Sequence, residues 1–329
     1  MNKRISLLLL ICITGISLGA PVDLMIGARG FAMGGAYSAI SDDASSGYWN
    51  PAGLSQIVNP TIMESNWIFQ NISGLNVNYV SCALPIQYVG TVSAGWLMQR
   101  ADLEYGSTDD AGILQTKENS AYENTFSFSV GRQLWDKFAI FELTSLGLSF
   151  NRTTFRTADG NGAGIGFDIA LKTRLPYGFS FSVVGRNIGA DMMGEKIDPS
   201  LRFGLGYQVL IKKLQRITID IDGEYLMNRD YKESSSLDPA QNNIKAFGGF
   251  EYALLLNGWE IALRGGSNRL IYTSFKSTYE INAGLGIKYL GYSINYAFDG
   301  NTDKSVGLGY SHRIDFQIDL KHLKTEKNE

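Results

Sequence analysis

Little in this chain could serve nucleophilic or soft-metal chemistry. It holds two cysteines and two histidines in 329 residues. Cys12 falls in an N-terminal leader, so Cys82 has no partner for an internal disulfide and is expected as a small residue within a strand. Of the histidines, His312 stands beside Ser311 and His322 lies in a charged tail. A serine hydrolase needs Ser and His adjacent in space. Successive strand residues point to opposite faces, which separates Ser311 from His312. Basic excess is also missing: 29 Lys and Arg face 32 Asp and Glu, a formal charge of -3. Without Lys3 and Arg4 of the leader the balance is 27 against 32, or -5, so the footprint of a nucleic-acid binder is absent. There is no Walker A motif, and the glycines of Gly162-Ala163-Gly164-Ile165-Gly166 alternate as in a strand rather than opening a helix. Asp299-Gly300-Asn301-Thr302-Asp303 spaces oxygens like a calcium loop but lacks its sixth-position Gly and distal Glu, so a hairpin turn is expected. No catalytic residue, cofactor or metal is expected.

Long apolar runs are missing as well. The longest, at 5–18, follows Met1-Asn2-Lys3-Arg4 and reads as a secretory signal peptide. It is shorter than the roughly 20 residues of a spanning helix. Ser17-Leu18-Gly19 offers small residues for cleavage after Gly19, giving a signal peptide at 1–19.

What is present is alternation. Leu201, Phe203, Leu205, Tyr207 and Val209 share one strand face, and Arg202, Gly204, Gly206 and Gln208 share the other. Ile217, Ile219 and Ile221 oppose Thr218, Asp220 and Asp222, and Ile281, Ala283, Leu285 and Ile287 oppose Asn282, Gly284, Gly286 and Lys288. About fourteen such segments run from 61 to 318, each near the length of a tilted bilayer crossing. Short links (85–87, 175–177, 211–214, 256–257 and 290) alternate with longer polar ones (100–121, 188–199, 227–242 and 268–276). Outer-membrane barrels have short periplasmic turns and long outer loops. The 17 Tyr and 17 Phe supply aromatic girdles. A mean hydropathy of -0.06 fits a wall whose lipid-facing and lumen-facing residues cancel. The fold class is all-β: a 14-stranded antiparallel transmembrane β-barrel at 61–320, with a charged tail at 321–329 and a short, partly helical N-terminal plug at 20–60 in the lumen. A turn centred near Lys213 would set Glu224 opposite Arg202 with Asp222 one step away. These lumen charges (Arg202, Asp220, Asp222, Glu224) are expected as partly hydrated pairs worth about 0–1 kcal/mol each.

Residues 24–57 do not alternate. The small residues of 31–40 predict a short helix in which Gly34 and Gly35 imply close packing. Asn50-Pro51-Ala52-Gly53 reads as a cap, a first-turn proline and a helical turn. Asp42 and Asp43 are expected to accept backbone or arginine hydrogen bonds.

Gly34-Gly35-Ala36, Asp42-Asp43-Ala44 and Tyr48-Trp49-Asn50-Pro51-Ala52-Gly53-Leu54 together resemble the N-terminal signature of the PorV/PorQ family. That family is similar to the FadL long-chain fatty-acid transporters. Arg186-Asn187-Ile188-Gly189 and Tyr296-Ala297-Phe298 before Gly307-Leu308-Gly309-Tyr310 extend the resemblance over most of the chain. It implies a bacterial cell outer-membrane barrel whose N-terminal segment acts as a hatch. The PorV branch implies a partner-binding role with a secretion translocon or secreted cargo, and the FadL branch a passive channel for hydrophobic small molecules. Under the FadL reading Phe31, Tyr37 and Trp49 are the expected ligand contacts. The polar 100–121 segment departs from the greasy outer loops of that branch.

Overall fold

The computed structural model describes residues 24–69, 74–108, 114–136, 140–157, 160–192, 195–227, 244–270, 279–301 and 310–320. The leader and the charged tail fall outside them. Two short helices, α1 (Ala28–Ala32) and α2 (Ser46–Trp49), and a 3-10 turn (Pro51–Gln56) precede the strands. The strands are β1 (Thr61–Phe69), β2 (Leu75–Ile86), β3 (Gly90–Thr108), β4 (Leu114–Trp135), β5 (Leu143–Thr157), β6 (Gly160–Arg174) and β7 (Phe179–Met192). They continue as β8 (Glu195–Lys196), β9 (Ser200–Ile211), β10 (Gln215–Leu226), β11 (Ile244–Leu256), β12 (Trp259–Leu270), β13 (Tyr279–Tyr289), β14 (Tyr292–Asn301) and β15 (Ser311–Asp319). The two-residue β8 only folds back on the end of β7. The other fourteen pair antiparallel with their neighbours, β1 pairs with β15, and β6 with β7 completes the ring. Closure leaves no sheet edge, so the wall amides are satisfied without water.

The burial is inside out, and this separates a barrel in lipid from a soluble sandwich. Leu205, Ile221 and Leu285 are 51 %, 59 % and 52 % exposed, whereas their strand neighbours Arg202, Asp220 and Asn282 are 0 %, 0 % and 1 % exposed. A sandwich buries its apolar face; here the apolar face looks outward and the polar face is covered.

Tight turns gather at one end. Asn257-Gly258 and Leu290-Gly291 both hold positive φ at two successive residues, as two-residue hairpins of right-twisted strands require. Lys212 and Lys213 are left-handed in the turn before β10, and the register sets Glu224 opposite Arg202. Two expectations change. The 100–121 segment is largely strand: β3 and β4 stay paired from Ala101↔Ala121 to Thr108↔Leu114, past the last β2 pair at Leu75↔Ala101. A ribbon in water needs no apolar face, so alternation could not reveal it. The Asp299 turn is also a strand, since β14 runs to Asn301; Thr302 and Asp303 lie outside the described residues. Ser311 is buried, while His312 on the other face meets the Tyr296 hydroxyl through Nδ1 at 2.7 Å.

Candidate functional site

Residues 24–57 occupy the barrel interior, where short turns satisfy many of their amides and wall side chains hold much of the remaining backbone. The helix expected over 31–40 does not form: α1 starts earlier and ends at Ala32, and Gly34 and Gly35 beyond it adopt φ of 67° and 83°, which no helix continues through. Beyond it the Asp222 carboxylate accepts the amides of Tyr37 (3.2 Å) and Ser38 (3.1 Å) and the Ser38 hydroxyl (2.8 Å). Lys172 donates to the Ser41 carbonyl at 2.6 Å, Ser81 to Ala44 at 2.9 Å and Ser149 to Gly47 at 3.2 Å. The Asp315 carboxylate accepts the Ala28 amide at 2.5 Å, and Arg313 donates to the Met25 carbonyl while lying between the Phe31 and Trp67 rings. Asn50 caps the 3-10 turn by accepting the Ala52 amide at 3.0 Å and donates to the Ser38 carbonyl at 2.8 Å.

The Gly-rich lumen face now has a reason. A Cβ at Gly147 would enter the backbone of Pro51 and Ala52, and one at Gly266 the backbone of Met33 and Gly34. Both glycines are seats for the segment.

The charges are drier than the sequence predicts. Arg202 and Asp222 pair at 2.8 Å with side chains 0 % exposed, because the N-terminal segment fills the lumen water would otherwise occupy. Arg202 also donates to the Gly35 carbonyl. Its Nη1 is 4.0 Å from Glu224, and buried Asp220 stands one lumen position from Asp222. A larger network escaped the sequence reading. Glu251, 1 % exposed, accepts from Arg29 (3.0 Å), Arg216 (3.1 Å) and Arg264 (2.6 Å). Arg216 continues to Glu260, and Arg29 reaches Asp42 at 2.5 Å and the Tyr37 hydroxyl at 3.1 Å. Burial works against the Arg29 charge, yet Asp42 and Glu251 outweigh it and hold the guanidinium well above its ordinary value. Desolvation likewise raises the Asp42 carboxyl, but Arg29 pulls it below the usual carboxylate range. Asp43 accepts the Ser45 amide at 2.9 Å and the Tyr37 hydroxyl at 2.7 Å. Arg29 is the one cation in residues 24–57, and that isolation was the available signal.

Above the segment, toward the long-loop end, lies a cavity of about 130 Å³ lined by Tyr48, Tyr79, Leu97, Glu123, Asp168 and Arg186 among others. Its side wall is irregular. The β6–β7 register shifts around Phe167, Asn187 and Gly189 hold positive φ, and Asp168 accepts the Asn187 amide at 2.9 Å. Arg186 ties this wall to the segment through the Trp49 carbonyl at 3.0 Å. A second cavity of about 130 Å³ opens at the short-turn end beside Arg29, Asp42, Asp43 and Arg216. Aromatic rings join the two. Tyr48 packs on Trp49 at 5.5 Å between centroids, Trp49 packs on Tyr37 at 5.7 Å, and the Tyr37 hydroxyl reaches Asp43. Trp49 and Tyr37 are fully buried, and Phe31, also buried, lies off this file against Trp67 at 6.1 Å. Among the described residues, no group of three or more His, Cys, Asp or Glu side chains gathers as for a metal ion.

No family profile and no curated protein matches the chain by sequence. Solved structures do. The toluene transporter TodX of Pseudomonas putida is similar with a TM-score of 0.54 and 13 % identity, over 89 % of this chain and 96 % of its own. The chain shares the closed antiparallel β-barrel fold of that protein. CymD, a monoaromatic hydrocarbon channel, gives 0.53 and 12 % identity over 89 % and 96 %. A FadL homologue of Pseudomonas aeruginosa gives 0.48 and 8 % identity over 90 % and 99 %. With TodX and CymD, at these identities, it is the fold that is shared.

Proposed function

We propose that the protein is a passive channel for hydrophobic small molecules in the bacterial outer membrane, with residues 24–57 as its gate. The observation that carries this reading is the file Tyr48–Trp49–Tyr37, which connects the two cavities through the gate itself. A solute leaving the outer cavity meets Trp49 first and Tyr37 next, once those rings turn aside; Phe31 is the neighbouring apolar contact. The whole segment does not leave. Its many wall hydrogen bonds, each worth about 0.5–1.5 kcal/mol net, make a local shift cheaper than expulsion. The fold shared with TodX and CymD supports the channel reading over the partner-binding role in secretion that the PorV/PorQ resemblance suggests, and no observation here favours the latter.

A cross-link tests the gate. The hydroxyls of Ser38 and Ser182 lie 2.9 Å apart, one on the segment and one on the wall. In a Cys82→Ala background, S38C/S182C should form a disulfide that fixes Tyr37 and, through the Ser38 carbonyl, Asn50. Uptake of a radiolabelled arene into proteoliposomes is expected to fall about tenfold on oxidation and to recover with reductant, equivalent to about 1.4 kcal/mol on the rate-limiting step. Full cross-linking with unchanged uptake would rule out gate movement.

A further inference from the structure

The outer cavity contains a carboxyl group with nothing to hold it. Five charged residues line the cavity: Glu123, Asp168, Arg186, Glu224 and Lys245. Four have an evident place. Asp168 accepts from Asn151 at 2.7 Å and from the Asn187 amide at 2.9 Å. Arg186 is spent on the Trp49 carbonyl. Glu224 accepts the Ser200 hydroxyl at 2.6 Å, and Lys245 is its cross-strand neighbour. Glu123 is different. It is 8 % exposed, its register neighbours are Gln99 and Phe155, and among the described residues it has no hydrogen bond or ion pair. A buried carboxyl group left without a donor is costly, so its position in a cavity wall points to a donor that arrives from outside.

The other lining groups say what kind of donor. Tyr48 and Tyr79 line the same cavity, and aromatic rings with a carboxylate are the chemistry that recognises organic cations. The volume of about 130 Å³ is close to the roughly 150 Å³ of a buried cavity that takes up benzene. That is space for one ring, not a long acyl chain. A carboxylate ligand would meet Glu123 as a like charge.

We propose that this cavity selects single-ring aromatic amines, with the ammonium on Glu123 and the ring against Tyr48 and Tyr79. The proposal rests on the channel reading, whose substrate class it narrows from hydrophobic solutes in general.

Benzylammonium, benzyl alcohol and benzoate share a ring and differ in charge, so they separate the contributions. Titration calorimetry on the mature protein in detergent micelles is expected to rank benzylammonium about tenfold tighter than benzyl alcohol, with benzoate weakest. Glu123→Gln should abolish the ammonium preference and leave benzyl alcohol within about twofold. The ranking on the wild-type protein stands without the variant, should Glu123→Gln fail to fold. Equal binding of the three, tighter benzoate, no binding of any, or a preference that survives in a folded Glu123→Gln protein overturns the proposal. Proteoliposome uptake of benzyl alcohol is measured separately. Uptake without an ammonium preference defeats this inference alone, whereas absence of all uptake defeats the channel reading.

Discussion

Replacing Gly147 or Gly266 with valine should unseat the N-terminal segment and open the barrel. The new Cβ at Gly147 enters the backbone of Pro51 and Ala52, and at Gly266 that of Met33 and Gly34. Backbone cannot swing away as a flexible side chain can, so each substitution costs about 1–3 kcal/mol or more. The wall itself is untouched: both positions keep their ladder partners, and valine is a favourable strand residue. The expected products are barrels that still migrate as folded, heat-modifiable species, yet are cut by protease within 24–57 and conduct ions in planar bilayers. Valine at Gly223, where a Cβ meets nothing within 4 Å, is the control and should stay closed. Protected, non-conducting G147V and G266V proteins would show that the segment is not seated on these glycines.

Glu251→Gln should have the second largest effect. Its carboxylate neutralises three arginines at 2.6–3.1 Å in a site 1 % exposed. Removing one partner of a buried ionic cluster leaves uncompensated charge and costs about 3–5 kcal/mol. Asp42→Asn removes another partner of the same Arg29, but the Asp42 side chain is 37 % exposed and water replaces it, so about 1 kcal/mol or less is expected. Denaturant unfolding followed by gel migration compares the two directly. Equal losses, or a larger loss for Asp42→Asn, would mean that water reaches Glu251 and hydrates its arginine partners.

The wall was readable from the sequence because lipid on one side and a filled lumen on the other enforce period two. The register of Arg202 and Glu224 followed from the turn at Lys213, a local feature that fixes the pairing of two strands. Asn50 and Pro51 were readable for the same reason, since a cap and its turn lie within a few residues. The Glu251 network was not. Arg29 and Glu251 are 222 residues apart, and a lumen-facing glutamate looks alike on every strand until the barrel closes and the segment is threaded through it. The dryness of the Arg202–Asp222 pair was misjudged on the same ground: its solvent is excluded by Gly35–Ser38, a stretch whose path no periodicity encodes. Glu123 stayed hidden because what marks it is a missing partner, and absence of a contact has no sequence signature.

The decisive test of a lipid-facing wall around a filled lumen is paired cysteine labelling in brominated-lipid vesicles. Fluorophores at Leu205 and Ile221 should be quenched by the lipid bromines, whereas cysteines at Ser182 and Thr218 should resist a water-soluble maleimide until the protein is unfolded. Unquenched fluorophores at the first two positions, or rapid labelling at the second two, would mean that the apolar face does not meet lipid or that the lumen is open.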